Sequence, residues 1–292
     1  MALVVFTLLG WSSVPLFVKY FADYIDVWTS NGWRYGFAAL LWAPALWIGR
    51  ARGHPGLWRA ARVPSAFNAA GQVCFGAAHY LIDPALLTFG LRLQLVFVVI
   101  GSALLFPSER RMLADPRYTG GLLVVFLGTL ATVAQDPVFG QRAGLLGVGL
   151  AVASGGLFAG YGLSVRRYLS GAPPLLAFAT VSQYTALVTV GLMLLLGADH
   201  GAGAPAMGAG PFGLLLLSSF IGIAVGHVAY YAAIGRLGVT ASAGVIQLQP
   251  IIVAVAVAWL HPEHALSAGQ WATGLLAVAG ASFALWVQGR GR

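Results

Sequence analysis

Long apolar runs, interrupted by short polar stretches, follow one another from the second residue to the end of the chain. They cover residues 2–22, 28–49, 64–82, 84–106, 119–135, 143–165, 173–197, 211–235, 240–260 and 268–287. A helix needs roughly 20 mostly apolar residues to cross the hydrocarbon of a bilayer, and all but the short fifth run come close to that length. The third and fourth are parted only by Asp83-Pro84, where proline ends one helix and turns the chain sharply. In lipid, backbone groups must be satisfied within the segment, which selects helices. The pattern predicts an all-α polytopic membrane protein with ten transmembrane helices, joined by loops too short to hold a soluble domain.

Composition agrees. Of the 292 residues, 59% are apolar and 8% charged, where a soluble domain carries about a quarter charged. The net charge of +8 does not point to nucleic acid, because the bases are scattered between apolar runs instead of clustered on a polar face. Cys74 is the sole cysteine, which excludes an intrachain disulfide, and its apolar neighbours make it a packing residue. The chain opens directly in an apolar stretch without a charged leader, so no cleavable signal peptide is expected.

Charge then orients the runs. With the amino terminus in the cytoplasm, the inner side holds Arg50, Arg52, Arg59, Arg62, Arg110, Arg111, Arg117, Arg166, Arg167, Arg236, Arg290 and Arg292, twelve of the sixteen basic residues. The outer side and outer helix halves hold Lys19, Arg34, Arg92 and Arg142. Short loops rich in Lys and Arg stay inside, so both termini are expected in the cytoplasm. Asp23, Asp26, Asp83, Asp136, Asp199 and Glu263 then fall outside.

Five helices per repeat would force a second copy to insert upside down, a plan that puts a transporter's site at the midplane between halves. Residues 1–137 and 138–292 carry traces of such a repeat. Trp11-Ser12-Ser13 to Lys19-Tyr20 matches Phe158-Ala159-Gly160-Tyr161 to Arg166-Arg167-Tyr168. Gly76-Ala77-Ala78-His79-Tyr80 matches Gly226-His227-Val228-Ala229-Tyr230, and Phe106-Pro107-Ser108-Glu109 matches Leu260-His261-Pro262-Glu263.

Over nearly its whole length the chain resembles the drug/metabolite transporter superfamily, and within it the EamA-type ten-helix exporters. Tyr80 and Tyr230, Leu248-Gln249-Pro250, the span-ending Glu109 and Glu263, and Arg34-Tyr35 carry the likeness. The aromatic interior is most similar to the aromatic amino-acid exporters of the YddG type. The resemblance implies efflux of amino acids or similar metabolites across a bacterial inner membrane. Many relatives carry Glu before the proline where this chain has Gln249, and the matching Leu93-Gln94-Leu95-Val96 has no proline. A coupling mechanism that needs a carboxylate there has none to use at Gln249.

Polar side chains within apolar spans are costly and usually face the bundle interior. On that ground Trp11, Ser12, His79, Tyr80, Gln94, Tyr161, Tyr184, His227, Tyr230, Gln247 and Gln249 are the candidate substrate-binding residues, with Gln183 and Tyr231 beside them. Amides and phenols hydrogen-bond a zwitterion without fixed charge, and aromatic walls suit an apolar side chain.

Plainer roles compete. Trp28, Trp42, Trp47, Trp58 and Trp286 are expected as interfacial anchors, and any single Gln or Ser as a bond between helices. His79 stands one turn before Asp83, as Lys19 does before Asp23, which predicts a capped turn and an interfacial ion pair. Gly156-x-x-x-Gly160 and Gly222-x-x-x-Gly226 allow close helix approach. Pro250 and Pro15 each kink a span and free a backbone carbonyl, tolerated only against protein or water.

Other classes lack their residues. There is no Gly-x-Ser-x-Gly, and His261-Pro262-Glu263-His264 lacks the zinc-protease spacing, so neither an enzyme nor a cofactor or metal is expected. No charge ring or selectivity filter marks a channel. Nucleotide-sugars would call for several intramembrane bases to pair phosphates, and cationic drugs for a buried carboxylate. A neutral or zwitterionic small molecule survives, with lipid as the surrounding partner and monomer or homodimer left open. His79 and His227 are expected to act as hydrogen-bonding groups in gradient-driven efflux.

Overall fold

The computed structural model describes residues 2–47, 56–107, 110–237, 242 and 245–290. Arg50, Arg52, Glu109 and Arg292, and most of 238–244 at the start of the ninth predicted run, lie outside the described residues. Within them the order is α1 Ala2–Phe21, α2 Val27–Trp47, α3 Leu57–His79, α4 Pro84–Leu91, α5 Gln94–Leu105, the short α6 Arg110–Leu113, α7 Pro116–Ala134 and α8 Arg142–Tyr168. There follow α9 Pro174–Leu196, the short α10 Gly203–Ala206, α11 Ala209–Ser219, a π-helical turn Phe220–Val225, α12 Gly226–Leu237, α13 Gln249–Leu260 and α14 Ala268–Arg290. No strand occurs among the described residues.

Among the described residues, seven helical stretches are long and apolar enough to cross a membrane: α1, α4 with α5, α7, α8, α9, α11 through Ala233, and α14. α2 and α3 have the length but carry polar residues inward, with Asn31 and Arg34 buried on one and Asn68, Gln72 and His79 on the other. α13 is short, 12 residues from Gln249. Outward the surface is apolar: Leu40, Leu187, Leu195 and Trp259 are each more than 70% exposed. Water would penalise such a surface and lipid does not. The chain is an all-α, membrane-embedded polytopic protein.

Small residues set the helix pairing. α7 lies on α14, where a Cβ added at Gly128 would stand 2.9 Å from the Ala277 backbone. Gly160 of α8 receives the Phe67 ring of α3, and Gly226 receives Trp11, so both Gly-x-x-x-Gly pairs act as expected, by close packing. α2 lies along α9, α3 along α8, and α1 against α12 and α13, while α4 meets α13.

The ion pair expected between Lys19 and Asp23 is replaced. Lys19 Nζ lies 3.7 Å from Asp83, and His264 Nδ1 lies 3.1 Å from the same carboxylate. Asp83 thus ties the C-terminal end of α1 to the loop after α13. His79 correspondingly does not cap toward Asp83; its Nδ1 bonds the Phe75 carbonyl at 2.7 Å, one turn back.

Candidate functional site

Two prolines prepare the centre of the molecule. A proline has no N–H, so the carbonyl four residues earlier loses its helical partner. Pro15, inside α1, therefore frees the Trp11 carbonyl, and Pro250, in the first turn of α13, follows a break that leaves the Ile246 carbonyl outside the helix. Gln249 Nε2 donates to Trp11 O at 2.8 Å, and Arg92 Nη1 donates to Ile246 O at 3.2 Å. Arg92 Nη2 in turn donates to Gln249 Oε1 at 2.7 Å. One knot of side chains satisfies both orphaned carbonyls and joins α1, the α4–α5 break and the start of α13. The break is where the chain passes through tight turns at Arg92 and Leu93, without a proline.

Aromatic side chains pack beside this knot. Trp11 lies 4.9 Å from Tyr230 and 5.2 Å from His227, centroid to centroid. His227 stacks on Phe178 at 4.7 Å, and Tyr231 meets the same ring edge-on. The hydroxyls of Tyr231 and Tyr161 are hydrogen-bonded to each other. The π-helical turn leaves carbonyls for side chains: Trp11 Nε1 donates to Gly222 O at 3.0 Å and Trp42 Nε1 to Ala224 O at 2.9 Å. Such turns recur at functional sites.

Beyond Gly222 lies a polar layer. Arg34 is 1% exposed, and an added Cβ on Gly222 would stand 3.9 Å from its Nη2. Its Nε and Nη1 have no hydrogen-bond partner among the described residues, nor has Nε2 of the fully buried His79. Ser219 donates its hydroxyl to the Arg34 carbonyl. Asn68 Nδ2 donates to the Tyr35 hydroxyl at 3.2 Å and to Thr185 at 3.0 Å, linking α2, α3 and α9.

Open basins flank these layers at opposite ends of α2. One, about 400 Å3, is lined by Asp23, Tyr24, Asp26, Thr29, Tyr80 and Asp199 among others. The other, about 360 Å3, is lined by Ala43, Leu46, Trp47, Trp58 and Gln183. Burial alone would raise the Asp26 carboxyl, but the Thr29 hydroxyl and the amides of Thr29, Ala198 and Trp28 hold it below its ordinary value.

The structure gathers Trp11, Tyr161, His227, Tyr230 and Gln249 at the centre. It disperses the remainder. Tyr80 lines the first basin and donates to Ile25 O at 2.7 Å. Tyr184 meets Trp58 edge-on at 5.6 Å, by the second basin. Ser12 bonds back to Leu8 O at 2.7 Å and is 3% exposed, so it is a helix-internal group, not a cavity one. Gln94 opens α5 with its backbone against Gly155. Gln247 is buried in the turn before α13, with Oε1 unpartnered among the described residues. Arg92 had no expected role here, Phe178 is indistinguishable in sequence from other apolar residues, and Asn68 escaped notice although it is an amide within an apolar span.

No protein-family profile matches the chain, and no curated protein matches it. Thirteen chains of solved structures do. One, described only as the crystal structure of a protein, superposes with a TM-score of 0.58 over 99% of this chain and 97% of its own, at 21% identity. That likeness carries the fold alone.

Proposed function

We propose that the protein is a transporter exporting small neutral or zwitterionic metabolites, foremost aromatic or large apolar amino acids, by alternating access. The observation that carries this reading is the layered interior: two open basins near opposite ends of α2, separated by a closed belt of aromatic and polar side chains. Alternating access needs a solvent-facing space on each side and a barrier that contacts the cargo between them. The basin at Asp26 is the outer one and that at Trp58 the inner one, in keeping with the arginines near the other end.

The proposal includes ten spans in two inverted halves, residues 1–137 and 138–292. The helix neighbours support it, because they are preserved when the halves are exchanged. α3 on α8 has its counterpart in α12 on α1, and α5 on α8 in α13 on α1. α2 on α9, α4 on α13 and α7 on α14 are their own counterparts. The fourth and ninth spans restart at Gln94 and Gln249, each opening a helix of 12 residues. Discontinuous helices in matching places commonly bound a transporter's site. The resemblance to EamA-type exporters in a bacterial inner membrane belongs to the same proposal.

Counterflow into proteoliposomes preloaded with amino acids, nucleotide-sugars or quaternary ammonium compounds tests the reading. Exchange of aromatic amino acids is expected. Exchange confined to nucleotide-sugars or cationic drugs would replace the substrate class, and no exchange of any compound would overturn transport itself.

A further inference from the structure

Ionised groups removed from water are held by partners, because an unpaired buried charge is costly. Arg34 breaks that rule. It stands seven residues into α2, about 10 Å along the axis at 1.5 Å per residue, and is 1% exposed. Every carboxylate among the described residues lies in a loop or at a helix end: Asp23, Asp26, Asp83, Asp115, Asp136, Asp199 and Glu263. None forms an ion pair with Arg34 there, and its Nε and Nη1 donors are unfilled. Arg92 differs, since Gln249 Oε1 and Ile246 O already accept from it.

His79 presents the opposite vacancy. The Phe75 carbonyl can only accept, so the 2.7 Å bond puts the proton on Nδ1. In the uncharged ring Nε2 then carries a lone pair, which no described donor fills. Asn31, one turn before Arg34 on α2, donates to Gln72 O on α3 at 3.1 Å and lies against Gly76, one turn before His79, so the unfilled donors and the unfilled acceptor lie along one α2–α3 seam. Gly222 connects that region to the aromatic belt: a Cβ there would stand 3.9 Å from Arg34 Nη2, and its carbonyl accepts from Trp11.

We infer that Arg34 and His79 form a head-group subsite for an α-amino acid, Arg34 donating to its carboxylate and His79 Nε2 accepting from its ammonium. The inference rests on the exporter reading and adds the groups that select the cargo. The carboxylate supplies the missing counter-ion, and the side chain is left facing Trp11, His227 and Tyr230. Tyr80, next to His79, borders the outer basin, so release from this subsite leads outward past Tyr80.

The test compares binding of L-phenylalanine, 3-phenylpropionate and phenethylamine to the full-length protein in lipid nanodiscs, read by calorimetry. Wild type is expected to bind phenylalanine roughly 10- to 100-fold tighter than either analogue, the effect of losing one charge-assisted hydrogen bond. Arg34→Gln should erase the gap between phenylalanine and phenethylamine while keeping the gap to 3-phenylpropionate. His79→Leu should do the reverse. Equal binding of all three by wild type overturns the subsite and leaves the exporter reading standing. Binding of none, without counterflow of any amino acid, overturns both. If counterflow selects another amino acid, the same acid, amine and zwitterion series of that side chain decides. If Arg34→Gln does not fold, the wild-type ranking decides alone, and phenethylamine binding as tightly as phenylalanine refutes the role of Arg34.

Discussion

Gln249 reaches across 238 residues of sequence to bond the Trp11 carbonyl at 2.8 Å, the carbonyl that Pro15 leaves without an amide. With Arg92 on its other end, Gln249 closes α13 onto α1. Gln249→Leu leaves the Trp11 carbonyl and an Arg92 donor unfilled, and should cost about 1–3 kcal/mol per lost partner. The cost should shrink in a Pro15→Ala background, where an α1 amide becomes available to Trp11 O. Thermal denaturation of the single and double variants in detergent measures the coupling. Strict additivity would mean that the proline and the amide are unrelated.

The aromatic belt should control transport more than lipid-facing aromatics do. Tyr230→Ala and Gln249→Ala, with Tyr80→Ala at the basin beside Asp26, are expected to slow counterflow about five- to a hundredfold, the scale of one lost hydrogen bond or ring contact. Trp259→Ala, at a side chain 80% exposed, should leave it near wild type. Equal losses at all four positions would reduce the belt to a matter of helix stability.

Asp26 caps α2, accepting from the amides of Trp28 and Thr29 at 2.9 and 3.0 Å. Its depressed pKa means that the ionised form is favoured in the folded protein, so its stabilisation is present above the ordinary value of 3.8 and fades as pH falls through the lower folded one. Asp26→Asn should therefore lower stability by about 0.5–2 kcal/mol at pH 7 and by little once the pH has fallen below the depressed folded pKa. A gap that does not narrow in acid would show that the charge is irrelevant to the cap.

Orientation is tested by single cysteines in a Cys74→Ser background. Cysteines replacing Arg110 or Arg166 should resist an impermeant thiol reagent added to intact cells, and one replacing Asp136 should react. The reverse labelling would invert the topology and exchange the names of the two basins.

Energy coupling separates two mechanisms that share one fold. His79 and His227 each bond a carbonyl one turn back through Nδ1, at 2.7 and 3.2 Å, and are expected to serve as hydrogen-bonding groups in gradient-driven efflux. An imposed pH gradient should not make proteoliposomes accumulate substrate. Accumulation that disappears in a His79→Gln, His227→Gln double variant would make the protein a proton-coupled pump.

The helices were readable because apolar length is a local property, and so was the orphaned Trp11 carbonyl, since proline removes an amide at a known offset. What fills that carbonyl was not readable. Arg92 and Gln249 stand 157 residues apart, and nothing local distinguishes Arg92 from a base near the membrane surface. Spacing also misled: one helical turn joined Lys19 to Asp23 on paper, whereas the fold brings Asp83 to Lys19 from another helix. Phe178 carries no mark in sequence, because a ring in an apolar run joins the aromatic belt only when His227 is laid upon it.

The π-helical turn at Phe220–Val225 divides one long span into two rotational phases. Upstream, Ser219 keys α11 to the backbone of α2 at Arg34; downstream, α12 presents His227, Tyr230 and Tyr231 to the aromatic belt. A turn closed by i→i+5 bonds holds about one residue more than an α-turn, and each residue is worth about 100° of azimuth. Converting that turn to α geometry would swing the three aromatic side chains around the axis of α12 while α11 stayed anchored. Under the exporter proposal, the span would carry its own swivel at the depth of the aromatic belt.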